Sequence, residues 1–205
     1  MEECNNILEN YNKQLKGLKY ISSVSESRVI FNQDDLFFDN VNFFVKNYLI
    51  SLCSFLEAYL TEVAKFIFEM HCQNINTCNV PKKFVYSHVN NWDSGKNGIK
   101  DIGVECFNID LKKGINNFFD KNKLSGNVEK NFRVFNVLGV DLEGGIDLLM
   151  RDQISNIVSK RNDIIHHNNN AIDVSFGDIA SYIDIVAEYM EKILSLVNAS
   201  NYLRE

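Results

Sequence analysis

Apolar positions recur along this chain at helical spacing, and the pattern sets out most of the architecture. Ile7, Leu8, Tyr11, Leu15 and Leu18 fall three or four apart, which predicts a helix over residues 1–20. Residues 21–33 (ISSVSESRVIFNQ) are Ser-rich and β-branched and read as a connector. From Asp34 to about Cys72 a long helical pattern runs without Gly or Pro. Val45, Leu49, Leu52, Leu56, Tyr59, Val63, Phe66 and Met70 form its stripe, and Phe44, Tyr48, Phe55 and Leu60 widen it nearly all the way round. A helix apolar on so many sides is central and buried, or packed against a second subunit.

The middle of the chain is less regular. Residues 73–106 hold Pro81, Trp92 and the turn-rich run from Asp93 to Gly98. Two shorter helices are predicted over Ile109–Phe119 and Val128–Leu138, and the Gly139–Gly145 segment breaks the chain. A strong helix follows from about Ile146 to His167. Ser175-Phe-Gly-Asp178 has capping-box form, a hydroxyl followed three residues on by a carboxylate. It opens a last helix carrying Ile179, Tyr182, Ile183, Val186, Tyr189, Met190, Ile193, Leu194 and Val197. The pattern is all-α, with no internal repeat, and reads as one domain over residues 1–205.

Composition narrows the class. One proline in 205 residues agrees with a helical fold, and 24 aromatic residues supply more buriable surface than disordered chains carry. The acidic and polar opening MEECNNILENYN is not a secretory signal, and the longest uncharged apolar-leaning run, Asn47 to Leu56, is about half of a membrane span. Five cysteines without framework spacing read as reduced thiols, so a cytoplasmic location is expected. A net charge of -6 argues against a broad electrostatic grip on nucleic acid. The charge is uneven, however. Between Lys82 and Arg133 ten Lys or Arg stand against six Asp or Glu. That basic middle on an acidic body leaves room for a local polyanion site, or is ordinary solvated surface.

Metal chemistry has a weak candidate. His71, Cys72, Cys78 and His88 lie near one another in sequence, but the two cysteines are separated by five residues, where zinc knuckles use two to four. No metal site is expected, and there is no phosphate-loop, nucleophile-elbow or His-Glu-x-x-His motif.

The informative stretch is Val158-Ser-Lys-Arg-Asn-Asp-Ile-Ile-His-His167. On a helix, Met150, Ile154, Ile157, Val158, Ile164 and Ile165 form one apolar stripe, and Arg161 falls in its centre. A permanent cation there needs an anionic or hydrogen-bonding partner, unless it lies along the stripe with its head in water. Asn162 and His166 are four apart and share one flank, and His166 lies about 140° around from Arg161. A second copy packed across the stripe could bring the arginine and histidine into one cleft. Alternatively, His166 and His167 simply complement the negative end of the helix dipole.

Arg161-Asn162-x-x-x-His166, on a late helix followed by an amphipathic last helix, resembles the HEPN domains (higher eukaryotes and prokaryotes nucleotide-binding), most closely the RiboL-PSP and related stand-alone groups. The segment Ser54-Phe-Leu-Glu57-Ala-Tyr-Leu resembles the family's earlier core helix, which often carries a polar or acidic residue. The resemblance covers roughly residues 36–72 and 146–203. It implies an HEPN-like helical bundle with a long central helix, a core over about 34–72 and 146–203, and an insertion of short helices and loops over 73–140. It further implies a metal-independent endoribonuclease of toxin or anti-phage type without a cofactor. The cleft would be composite, between the Arg161 and His166 of two protomers in a homodimer.

In that picture His166 is general acid or base, Arg161 neutralises the phosphate, and Asn162 orients the phosphate or the imidazole. His167 and Glu57 support them, while Lys112, Lys113 and Lys160 guide RNA, a tRNA being one candidate substrate. An antitoxin or defence-system protein is the implied partner, and no membrane is involved. The other reading is a non-catalytic HEPN module that binds RNA or a nucleotide and acts through a partner. His167 is followed by Asn168-Asn169-Asn170 where the stand-alone groups frequently have His-Gly, and the lack of a Tyr two residues after His166 sets the chain apart from HEPN toxins paired with a nucleotidyltransferase.

Overall fold

The computed structural model describes residues 2–74, 79–89, 116, 118–167 and 173–203, apart from the side chains of 86–89 and 166–167. Among the described residues the fold is all-α, with no strand. The labelled helices are α1 (Glu2–Ile30), α2 (Asp35–Asp39), α3 (Val41–Asn74), α4 (Lys82–Val89), α5 (Val128–Val137), α6 (Leu142–Gly145), α7 (Leu148–His167) and α8 (Phe176–Ala199). Residues 118–121 add a turn of helix.

Helix α3 is the axis of the bundle. Its Leu49, Leu52, Leu56, Leu60, Val63 and Ile67 are fully or almost fully buried, as the widened stripe requires. Helix α1 runs antiparallel to it, since Tyr11 donates to Glu62 at 2.8 Å while Ser25 meets the Tyr48 hydroxyl at 2.8 Å. Helix α8 runs parallel to α3. The Phe176 ring lies 6.2 Å from that of Tyr48, and Tyr59 donates to the Met190 carbonyl at 2.8 Å. Helix α7 returns antiparallel to α8, because Gly145 just before it abuts Leu196 near the end of α8. The middle of the chain closes the far end of α3, where Phe84 and Phe118 pack on Phe68 with ring centroids 5.1 and 5.2 Å away.

Several boundaries differ from the sequence reading. Residues 21–30 continue α1 instead of forming a connector. Ser25 and Ser27 return their hydroxyls to the carbonyls one turn back, at 2.9 and 3.0 Å, so these serines are satisfied inside a helix. The expected helix from Asp34 to Cys72 is two helices. Asp34 caps α2 by accepting from Leu36 N, and Asn40 ends it. Helix α4 stands within the stretch read as turns, and α6 within the Gly139–Gly145 break. The capping box on α8 is present in both directions. Ile165, placed in the apolar stripe by spacing, is 48% exposed. The Trp92 and Asp93–Gly98 readings, and most of the helix expected over 109–119, lie outside the described residues.

Candidate active site

Arg161 occupies the place its spacing gives it, among Ile154, Ile157, Val158 and Ile164, all of which are buried. Its partner is Glu57 on α3. One guanidinium nitrogen donates to the Glu57 carboxylate and the other to Asn162 Oδ1 at 3.0 Å. The two charged side chains keep only 16% and 29% of their surface exposed. A pair this deep in the bundle offsets the desolvation that an unpartnered cation would suffer there. Cys53, one turn before Glu57, lies beside the same guanidinium. Burial pushes its thiol up to about 11 against the opposing pull of Arg161, which leaves a neutral thiol and no nucleophile.

The Glu57 oxygen that meets Arg161 also accepts from the Gly126 backbone N–H at 3.0 Å. Gly126 belongs to the loop ahead of α5, and that loop is tied down by the buried Asn131. The Asn131 amide donates to the Ser125 carbonyl at 2.7 Å and accepts from Ser125 N at 3.4 Å. Close approach is the reason for glycine here, since a Cβ on Gly126 would stand 2.4 and 2.7 Å from the two Val158 methyl carbons. Three segments distant in sequence thus converge on one carboxylate.

They enclose an open cleft of about 310 Å³. Ser155, Ser159 and Asn162 line it from α7, residues 125–129 from the opposite wall, and Glu57 and Arg161 from the buried side. The opposite wall is the amino end of α5. Asn127 caps Lys130 N at 2.8 Å, while the N–H groups of Val128 and Glu129 have no acceptor within the helix. An arginine, two hydroxyls, a carboxamide and a helix amino end are chemically suited to a phosphate oxygen. Glu129 adds an acceptor at the same rim.

The other sequence-predicted residues divide. His166 and His167 close α7, with His166 one turn beyond Asn162, but their side chains lie outside the described residues. Lys112 and Lys113 also lie outside them. Lys160 is held by Asp173, which raises the lysine pKa and lowers that of the aspartate, so its charge is already engaged. Of the four residues weighed as a weak metal candidate, His71 is fully buried and its ring Nε2 meets the Leu138 carbonyl at 2.8 Å. Cys72 is partly buried, and Cys78 and the His88 side chain lie outside the described residues. Among the described residues no group of three His, Cys, Asp or Glu side chains is placed to hold a metal ion. Nor is any described helix long and apolar enough to cross a membrane.

Sequence reasoning missed Ser155, Ser159 and the 125–129 wall. The serines were legible, because 155, 159, 162 and 166 recur at spacings of four, three and four along one line of α7. The wall was not, because nothing local links Gly126 to Glu57, 69 residues away.

No curated protein and no solved structure is similar to the chain at a significant level. The family described as RiboL-PSP-HEPN matches residues 3–199, a span that takes in α1, the middle segment and both walls of the cleft. With its all-α fold and that match over nearly its whole length, the chain belongs to the RiboL-PSP-HEPN family.

Proposed function

We propose that this protein is a metal-independent endoribonuclease that cleaves RNA by attack of a 2′-OH on the adjacent phosphorus. The observation that carries the reading is the cleft, where Arg161 and Asn162 stand one helical turn before His166 and face the amino end of α5. In the reaction the O2′–P bond forms and the P–O5′ bond breaks, giving a 2′,3′-cyclic phosphate and a 5′-hydroxyl. One proton leaves O2′ and one arrives at O5′. His166 is the group for proton transfer, because imidazole titrates near neutral pH. Arg161 is always charged and forks onto phosphate oxygens, so it stabilises the dianionic phosphorane. Asn162 orients the phosphate, and Glu57 positions Arg161 without touching substrate. Because Arg161 and His166 sit about 140° apart on one helix, the reading includes a homodimer in which one protomer's Arg161 works with its partner's histidine. RNA is the substrate class, with a tRNA as one candidate, and a toxin or anti-phage role is the expected setting.

The test is cleavage of RNA by the purified chain. Arg161→Ala and His166→Ala each abolish cleavage while the circular dichroism spectrum and the dimer persist, and His167→Ala matters less. Activity that survives both changes, or that stops with a chelator, refutes the mechanism. One observation favours a second reading, a non-catalytic module that binds RNA or a nucleotide. The Arg161 guanidinium is already paired with Glu57, as it would be in a structural role. RNA binding without cleavage would decide for that module. Growth arrest on expression, dependent on Arg161 and His166, would decide for the toxin.

A further inference from the structure

The cleft holds one charged group that the proposed chemistry does not use. Of its two acids, Glu57 is engaged by Arg161 and by the Gly126 N–H. Glu129 stands exposed at the rim, and its carboxylate makes no ion pair or hydrogen bond among the described residues. Arg133 lies four residues on, the spacing of a helical ion pair, and does not take it. Glu129 belongs to the side of α5 that faces α7. It comes three residues before Phe132, whose ring carries the Arg151 guanidinium of α7 at 5.0 Å, and residues three apart share a helix face.

A carboxylate in a phosphate-binding cleft repels the RNA backbone, so it favours an RNA only by accepting hydrogen bonds from a base. At about 310 Å³ the cleft has the size of a small-ligand site, which suits one unpaired nucleotide and not a duplex. An unpaired base offers its Watson–Crick edge.

Among the four bases only guanine sets two donors side by side on that edge, N1–H and the N2 amino group, which match the two oxygens of a carboxylate. Adenine and cytosine place a ring-nitrogen acceptor beside their amino group. Uracil flanks its N3–H with two carbonyl oxygens. Each of these three turns an acceptor toward a group that only accepts. Ser155, Ser159 and Asn162 each carry both a donor and an acceptor, so the choice of base falls to Glu129. Its place in the first turn of α5 also suits the helix dipole, but a dipole contact is blind to the base.

We propose that Glu129 makes the cleft selective for a guanine next to the bound phosphate. The inference rests on the reading of the cleft as an RNA site and names the base that the site accepts. The probes are 2′-fluoro RNA hexamers, which lack the attacking hydroxyl, made of uridine with one central guanine, inosine or adenine. Each is titrated against the full chain by fluorescence anisotropy. The guanine hexamer binds about tenfold or more tightly than the adenine hexamer, and inosine, which keeps N1–H and lacks the amino group, falls between them. Glu129→Gln carries an amide that also offers a donor to the adenine ring nitrogen. It brings guanine and adenine within about threefold of each other, with an unchanged circular dichroism spectrum. Arg161→Ala weakens all three hexamers by a similar factor, because a phosphate contact carries no base information. The proposal is overturned if the chain binds the three hexamers alike, binds none of them, or keeps its guanine preference in Glu129→Gln. Cleavage of unmodified RNA is read separately. Selective binding without cleavage supports this inference and refutes the endoribonuclease, whereas cleavage with equal binding of the three hexamers refutes this inference alone.

Discussion

Gly126→Ala is the sharpest test of how the cleft is held. The backbone at Gly126 is outside the left-handed region, which among the described residues only Gln33 and Gly139 occupy. Alanine therefore suffers no conformational strain, and the whole effect comes from space. Its Cβ would meet the Val158 methyl carbons at 2.4 and 2.7 Å, about an ångström inside ordinary contact. Val158 is itself buried at 6% exposure and cannot swing away freely. The loop must then move off α7, at a cost of about 1–3 kcal/mol for an overpacked site. That motion stretches the 3.0 Å bond from Gly126 N to Glu57 and shifts the amino end of α5 from the cleft.

The assay is a double-mutant cycle in urea with Val158→Ala. Val158→Ala alone costs about 1–2 kcal/mol for the two lost methyl groups, but in the Gly126→Ala background it also relieves the clash. The pair is expected to be less destabilised than the sum by about 1–2 kcal/mol, and on the proposed function RNA binding weakened by Gly126→Ala should partly return in the double variant. Additivity within about 0.5 kcal/mol would refute the steric account, and with it the claim that glycine is there for the sake of the cleft.

Three further outcomes follow from particular contacts. Glu57→Ala leaves Arg161 without its carboxylate and Gly126 N–H without its acceptor, so it should cost about 2–3 kcal/mol, whereas Glu57→Leu with Arg161→Met should cost less than Glu57→Ala alone; equal or greater loss in the pair, read from urea midpoints, contradicts this. His71 is fully buried, and burial lowers its pKa despite the bond to Leu138. The unfolded chain then binds a proton below pH ~6.5 that the native state refuses, so stability falls as pH drops from ~6.5 toward the native pKa; His71→Phe should flatten that part of the urea-midpoint profile, and an unchanged slope would count against it. Ser175→Ala removes the cap on α8 and should lower stability by about 1 kcal/mol, a drop of roughly 2–4 °C in Tm.

What could be read from the sequence depended on whether its cause was local. The α8 capping box, the wide stripe of α3 and the place of Arg161 in the α7 stripe all rest on spacings of three to seven residues, and each is present. The connector expected over 21–33 is confined to 31–33, because Ser and β-branched residues are only weakly averse to helix, and packing decided over 21–30. Ser25 reaches Tyr48 of α3, and Ser22 lies beside the Phe176 carbonyl of α8, contacts no local pattern announces. The need for an anion beside Arg161 was legible. That the anion is Glu57, 104 residues earlier, was not legible, since likeness to a family segment suggested Glu57 only as a supporting residue of the site.

An arginine at the centre of the α7 stripe carries a desolvation cost that an apolar residue of similar volume would not. The network around Arg161 meets that cost with contacts that also orient it. Glu57 and Asn162 each take one guanidinium nitrogen, and Asn131 and Gly126 fix the wall opposite. A guanidinium carries five donor hydrogens in a rigid plane, so the contacts to Glu57, Asn162 and the Cys53 thiol hold the fork and leave further donor hydrogens for a ligand oxygen. An ammonium, with three rotating donors and no plane, could satisfy Glu57 but not keep a fixed face toward the cleft. Because Glu57 lies on the long central helix α3, the orientation of Arg161 is set by the core, and the cleft inherits the rigidity of α3 instead of the mobility of a loop.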